Sequence, residues 1–132
     1  MSFAEPGAAA IAAGIDDMYQ AFLTGDRSAF DSHLHADVTT WETHLPGPLR
    51  SRRELDEYRD HRDAAGNRPA LAVLAATDKR IDVWGEVGVA RYVLVAQDAP
   101  DGPPQHSRIT DVLRLVDGRW LIVHHHSELV QS

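Results

Sequence analysis

Three histidines run together near the end of the chain, His124-His125-His126, closing the stretch RLVDGRWLIVHHHSEL. Histidine ionises nearest neutral pH and is also the commonest metal ligand, so the run raises both chemistries. Which of the three could act together depends on which way each points. Asp117-Gly118, inside the same stretch, is a two-residue hairpin signal. If those two residues form the turn, Val116 pairs with Arg119 and the pairing runs outward. Leu115 meets Trp120, Leu113 meets Ile122, Asp111 meets His124 and Ile109 meets His126. Side chains alternate along a strand, so all of these share one face. Its turn end is apolar, so this face is expected to be the interior. Arg119, Leu121, Val123, His125 and Ser127 then lie outside, with Arg108, Thr110, Val112 and Arg114 opposite them. A shift of one residue would exchange the two faces.

On this reading Asp111 and His124 face each other across the hairpin. A buried carboxylate can hold a histidine tautomer or raise its pKa, as acid–base pairs require. The same two groups can equally be an ion pair that closes the end of a core. His124 and His126, two apart on one face, could also present two imidazoles to a zinc or iron ion. Asp111, Glu42 or His44 would supply the third ligand. The expectation is nonetheless no metal and no cofactor, with His124 and His126 kept as the alternative metal pair. Glu42 is a candidate general base if it faces inward. Strict alternation sends it outward if Trp41 faces in.

The elements that must position these groups are legible in outline. Ile11, Ile15, Met18, Tyr19 and Phe22 recur at helical spacing, with Pro6 suited to the start and Gly25 to the stop. Asp26 can cap a second short helix carrying Phe30 and Leu34. DVTTW suggests a strand near 38–43, and LPGPL a loop. Ser51 and Glu54 form a capping box that opens a third helix through about Arg62, ended by Gly66, Asn67 and Pro69. LAVLAATDKRIDVW reads as a long strand, or two pieces with a bulge. GEVG is a turn, VARYVLVAQ a strand, and DAPDGPPQ a loop expected to be mobile. RITDVLRLV and RWLIVHHHS are the final two strands. Helices followed by a run of antiparallel strands make an α+β layout.

Composition narrows the function classes. At 132 residues the chain is read as one domain, 1–132. A net charge of −7 argues against a nucleic-acid partner. No apolar run approaches the roughly 20 residues of a membrane span, so no membrane partner is expected. There is no cysteine, which removes disulfides, thiolate catalysis and Cys-based zinc sites. The N-terminus lacks a basic leader and reads as helix, so a cytoplasmic location is expected. Leu121, Val123 and Val112, joined by Val93 and Val95, leave an apolar patch on the outer sheet face. A symmetric homodimer is the commonest way to cover such a patch.

The segments YQAFLTGDRSAF, HADVTTWE, LPGPLRSRREL and TDVLRLVDGRWLIVHHHS together resemble the nuclear transport factor 2-like superfamily of cystatin-like α+β cones, over about residues 8–128. The last segment is also similar to the C-terminal hairpin of the association domain of calcium/calmodulin-dependent protein kinase. The superfamily includes ketosteroid isomerase, polyketide (SnoaL-like) cyclases and scytalone dehydratase, and also modules that only associate. Laid on ketosteroid isomerase, the resemblance implies Glu42 as base and Asp111 as the protonated oxyanion donor. The isomerase's helix tyrosine falls at Met18, with Tyr19 one position off. The kinase domain's pocket arginines fall at Asp111 and Leu94.

The resemblance implies a cone with a cavity between helices and sheet. Leu113, Ile122 and Trp120 would floor it, Trp41 and Tyr92 would wall it, Tyr58 would line it, and Asp111, His124 and His126 would form its polar end. The expected function is binding of a small apolar ligand. Catalysis there would be cofactor-free proton transfer on a carbonyl-type substrate: isomerisation, cyclisation or dehydration. The alternative is a non-catalytic ligand-binding or homodimerising domain.

Overall fold

The structure, a computed structural model, describes residues 6–42 and 45–130, with the side chains of 45–48 outside the description. Helix α1 spans Pro6–Leu23 and buries Ile11, Ile15, Met18 and Tyr19 on its sheet-facing stripe. Gly25 follows at φ +74°, the left-handed conformation that stops a helix cheaply only at glycine. Helix α2 is one short turn, Arg27–Asp31, capped by Asp26, whose carboxylate accepts from the Ala29 amide. Leu34, expected on this helix, instead opens strand β1, Leu34–Glu42.

LPGPL is not a loop. Leu45–Arg50 forms strand β2, paired with β1 alone at the edge of the sheet. An edge strand needs only half its amides in a ladder, so Pro46 and Pro48 are tolerated there. The expected capping box is present: Ser51 and Glu54 each bond the other's backbone amide and start helix α3, Arg52–Ala64. Four long strands follow: β3 Val73–Trp84, β4 Val87–Gln97, β5 Gln105–Val116 and β6 Arg119–Leu129. The bulge expected in β3 falls between Thr77 and Arg80, with Asp78 at φ +53°. Of GEVG, only Gly85-Glu86 turns; Val87-Gly88 already belongs to β4.

The sheet has six strands in the order β2-β1-β6-β5-β4-β3, curved and not closed. All neighbours are antiparallel except β1 and β6. The parallel pairing places the start of the chain's strand system directly beside its end. Helix α1 packs on β3, β4 and β6, and the main core lies between them.

The final hairpin turns at Asp117-Gly118 as expected, both residues at positive φ. Leu115↔Trp120 and Leu113↔Ile122 also pair as expected. The register then slips. Val112 pairs with His124, so Val123 is an extra residue on β6. Asp111 therefore meets His125, and Ile109 meets Ser127. The expected pairs Asp111 with His124 and Ile109 with His126 do not occur. His125 and Ser127 move inside, and His124 and His126 move outside.

Candidate functional site

One hydrogen-bonded chain crosses the core. The Asp111 carboxylate, with no exposed surface, has both oxygens engaged. Its Oδ2 accepts from the Tyr92 hydroxyl at 2.6 Å, and its Oδ1 lies 2.5 Å from His125 Nδ1. Tyr92 has one proton and gives it to Asp111. The Tyr19 hydroxyl, 2.7 Å from the Tyr92 oxygen, must therefore donate to it. Every donor points toward Asp111. A buried carboxylate is costly unless its lone pairs are met in this way. Burial pushes both tyrosine hydroxyls well above their ordinary pKa, and the nearby Asp111 charge adds to this, so both stay neutral.

Asp111 fixes the state of His125. A proton on Nδ1 directed at the carboxylate leaves Nε2 as the reactive nitrogen. Burial alone would lower the His125 pKa, but the Asp111 charge and hydrogen bond, helped by Glu42, outweigh it and the pKa is raised. Nε2 lies 4.0 Å from Glu42 Oε1. Glu42 faces in because Trp41 faces out, the alternation the sequence requires. The parallel β1–β6 register puts Thr40 beside His125 and Glu42 beside Ser127.

Tyr19, Thr40, Glu42 and His125 all border one cavity of about 420 Å³, between α1, α3 and the open end of the sheet. That is the size of an ordinary small-molecule site. Met18, Phe22, Phe30, Leu34, Leu55, Leu74, Leu94 and Ile122 supply apolar wall, and Tyr58 also lines it. Tyr92 and Asp111 lie behind this wall and reach the cavity only through Tyr19 and His125. The Thr40 hydroxyl is buried with no partner among the described residues.

Several expected site residues lie elsewhere. His124 faces outward and bonds the Thr39 hydroxyl at 2.8 Å; burial and its two histidine neighbours lower its pKa. His126 is exposed on the same face. Trp41, expected as a cavity wall, is 47% exposed and stands edge-on to both outer histidines. Tyr92 is a core hydrogen-bonding residue and not a wall. Leu113 is a core residue and the partly buried Trp120 packs against the core; both border a void of about 20 Å³ under α1, with room for one water, and neither lines the larger cavity. His124 and His126 share no face with Asp111 or Glu42, and His44 lies outside the described residues. Among the described residues no three ligating side chains converge on a metal position.

Of the groups at the cavity, Thr40 is not among the expected site residues, His125 is expected on the outer face, and Tyr19 lies one position from where the resemblance puts the isomerase's tyrosine. Helical spacing alone makes Tyr19 a rung of a buried stripe. The available signal was its hydroxyl, which needs a polar partner once buried.

A family model described as SnoaL-like domain matches residues 15–123. No curated protein matches the chain. Among solved structures, the chain is similar to the CaMKII hub of S. rosetta, at 23% identity and TM-score 0.77, over 98% of this chain and 100% of that one. It is also similar to a candidate ketosteroid isomerase from Shewanella frigidimarina, at 22% identity and TM-score 0.67, over 88% and 92%. A cystatin-like protein of unknown function from Nostoc punctiforme superposes at TM-score 0.79 with 12% identity, over 100% and 97%. These likenesses establish the fold, which hosts isomerases and hub domains alike. Among the described residues no helix is long and apolar enough to cross a membrane.

Proposed function

The chain belongs to the SnoaL-like domain family, and from that premise we propose that it binds a small apolar carbonyl compound and moves a proton on it without a cofactor. The observation that carries this reading is the Asp111–His125 pair, with Nδ1 held by the carboxylate and Nε2 left toward the cavity beside Glu42. Neutral His125 takes a proton from the carbon next to the carbonyl, leaving an enolate, and returns it to another carbon. Asp111 orients the ring and stabilises the imidazolium; it does not touch the substrate. Glu42 adds a second negative charge that favours the protonated ring. Thr40 is the neutral donor at hand: rotation about its χ1 offers the hydroxyl to an enolate oxygen.

The test uses 2-tetralone in D₂O and follows loss of its α-proton signal by NMR. The native protein should speed exchange, and His125→Gln should remove about 10²–10⁴-fold of that rate, the usual worth of a positioned base. Equal exchange with native protein and variant would sink the reading.

The second reading is association, supported by the likeness to a hub domain over the whole chain and by the exposed Trp41 on the outer sheet face. A homodimer through that face leaves the cavity on the opposite side, so the two readings are compatible. Sedimentation of native protein against Trp41→Ser tests it; a monomer in both would end it. A cytoplasmic setting fits a chain without cysteine.

A further inference from the structure

The chain carries 13 basic and 20 acidic residues, yet the cavity lining reverses this balance, with four arginines against Glu42 and Asp63. Two of those arginines are spoken for. Arg59 is buried between Asp31 and Asp56, and Arg27 bonds Asp60 at 2.7 Å with Asp31, Asp56 and Asp63 within 4 Å. The other two retain charge. Arg62 meets Asp63 only through Nε, at 3.1 Å, and that carboxylate is shared with Arg27. Its guanidinium carbon stands 5.9 Å from the Tyr58 ring centre. Arg68 donates to the Phe22 carbonyl oxygen at 2.6 Å and lies 4.8 Å over the Phe22 ring, with no carboxylate partner among the described residues. Both are held in place by a ring that itself lines the cavity, and both leave terminal N–H groups without a partner among the described residues.

Resting on the proton-transfer reading above, we infer that the cavity selects a carboxylate-bearing apolar molecule, its anionic group bound by Arg62 and Arg68 and its carbonyl presented to His125. The arginines sit on α3 and just after it, while His125 sits on the sheet, so the cavity has an anion end and a reaction end, with Leu55 and Leu74 in its apolar lining. A planar guanidinium matches a carboxylate bidentately, which a neutral amide cannot reproduce. In a protein of net charge −7 such a local positive site also draws anions past a repelling surface.

The probes are 2-naphthoate and its neutral amide, 2-naphthamide, titrated calorimetrically at pH 7 and low salt. The acid should bind at least tenfold tighter than the amide, and the difference should shrink as salt is raised. Arg62→Gln and Arg68→Gln should each weaken the acid by about three- to tenfold, while the amide moves less than twofold. Arg62→Lys should retain part of the acid's advantage, which separates lost charge from lost packing. Equal affinity for acid and amide would overturn the charge selection and leave proton transfer standing. No binding of either compound at millimolar concentration would overturn the anion site, and the 2-tetralone exchange assay would then decide the proton-transfer reading on its own. Arginine-dependent acid binding without any 2-tetralone exchange would retain the anion site and remove the catalytic reading.

Discussion

Asp111 faces His125 and not His124 because Val123 is an extra residue on its strand, inserted between the pairs Leu113↔Ile122 and Val112↔His124. One residue thus decides which imidazole enters the core, and it leaves the Asp111 carboxylate with one titratable nitrogen to pair with. Removing that nitrogen strands a buried charge. His125→Ala is expected to cost about 3 kcal/mol, the low end for breaking a buried pair, because Tyr92 still donates to Asp111. At about 4 °C per kcal/mol the melting temperature should fall by roughly 12 °C. Asp111→Asn combined with His125→Gln should recover much of the loss, since neither partner is then charged. A double variant no more stable than His125→Ala would show that the pair is not the source. His124→Ala, on the outer face, should cost under about 1 kcal/mol.

The two neighbouring histidines should give stability opposite dependences on pH. His125 has a folded pKa above its unfolded value near 6.5. The folded state then holds its proton more tightly, so the contribution is full below about pH 6.5 and fades as pH rises through the folded pKa. Burial opposes the charged ring, and the Asp111 charge and hydrogen bond, with the Glu42 charge, outweigh it. His124 has a folded pKa below the unfolded value, from burial and from His125 and His126. Its contribution is present above about pH 6.5 and fades as pH falls through the folded value. Thermal melts from pH 5 to 9 should therefore lose their alkaline decline in His125→Gln and their acid decline in His124→Gln. Imidazole NMR should show His124 deprotonating at lower pH than His125. The reverse order would place His124 beside Asp111.

Thr40 offers a separation of stability from function. Its hydroxyl is buried, has no partner among the described residues, and stands next to His125 in the parallel register. An unmet buried hydroxyl costs about 1–3 kcal/mol. Thr40→Val keeps the shape and removes the cost, so the melting temperature should rise by several degrees. The same change should slow 2-tetralone exchange by about tenfold or more if the hydroxyl turns to the enolate. A variant that is both more stable and equally active would assign Thr40 to packing alone.

Local chemistry was legible wherever one short segment decides the outcome. Asp117-Gly118 specifies its own turn, and Ser51 with Glu54 specifies its own helix start, whatever surrounds them. The stripe from Ile11 to Phe22 names its helix and its buried face together. The Val123 bulge is different in kind. Nothing in LIVHH distinguishes a straight strand from a bulged one, because either path keeps Ile122 inside. The choice is made by Asp111, Tyr92 and Glu42, which come from three other strands. Glu42 illustrates the same limit: alternation tied it to Trp41, but only the β1–β6 register shows which of the two faces in. Pro46 and Pro48 concealed β2 because they are tolerated only at an edge, and the strand order is not written in that segment. The cavity arginines Arg27, Arg59, Arg62 and Arg68 carry no local signal of their own. Their role depends on which carboxylates reach them from α2 and α3.

The close approach of α1 to the sheet rests on Gly88. A Cβ there would lie 2.6 Å from Ile11 Cδ1, well inside contact, and 3.6 Å from the Asp82 carbonyl oxygen. Gly88 needs no positive φ, so its value lies in the missing side chain. It lets the first helix settle against β4 and so sets the depth at which Tyr19 meets Tyr92. Gly88→Ala should destabilise by about 1–3 kcal/mol, as overpacking of a filled core does. Ile11 Cδ1 is the far end of a flexible side chain, so Ile11→Val should be partly compensating in the Gly88→Ala background while costing about 0.5–1.5 kcal/mol alone. Positive coupling in that double-mutant cycle, measured by urea unfolding, identifies the contact. Strict additivity would mean that α1 moves away as a rigid body. In that case the Tyr19–Tyr92 hydrogen bond should lengthen, and the Tyr92 hydroxyl proton should exchange faster with solvent.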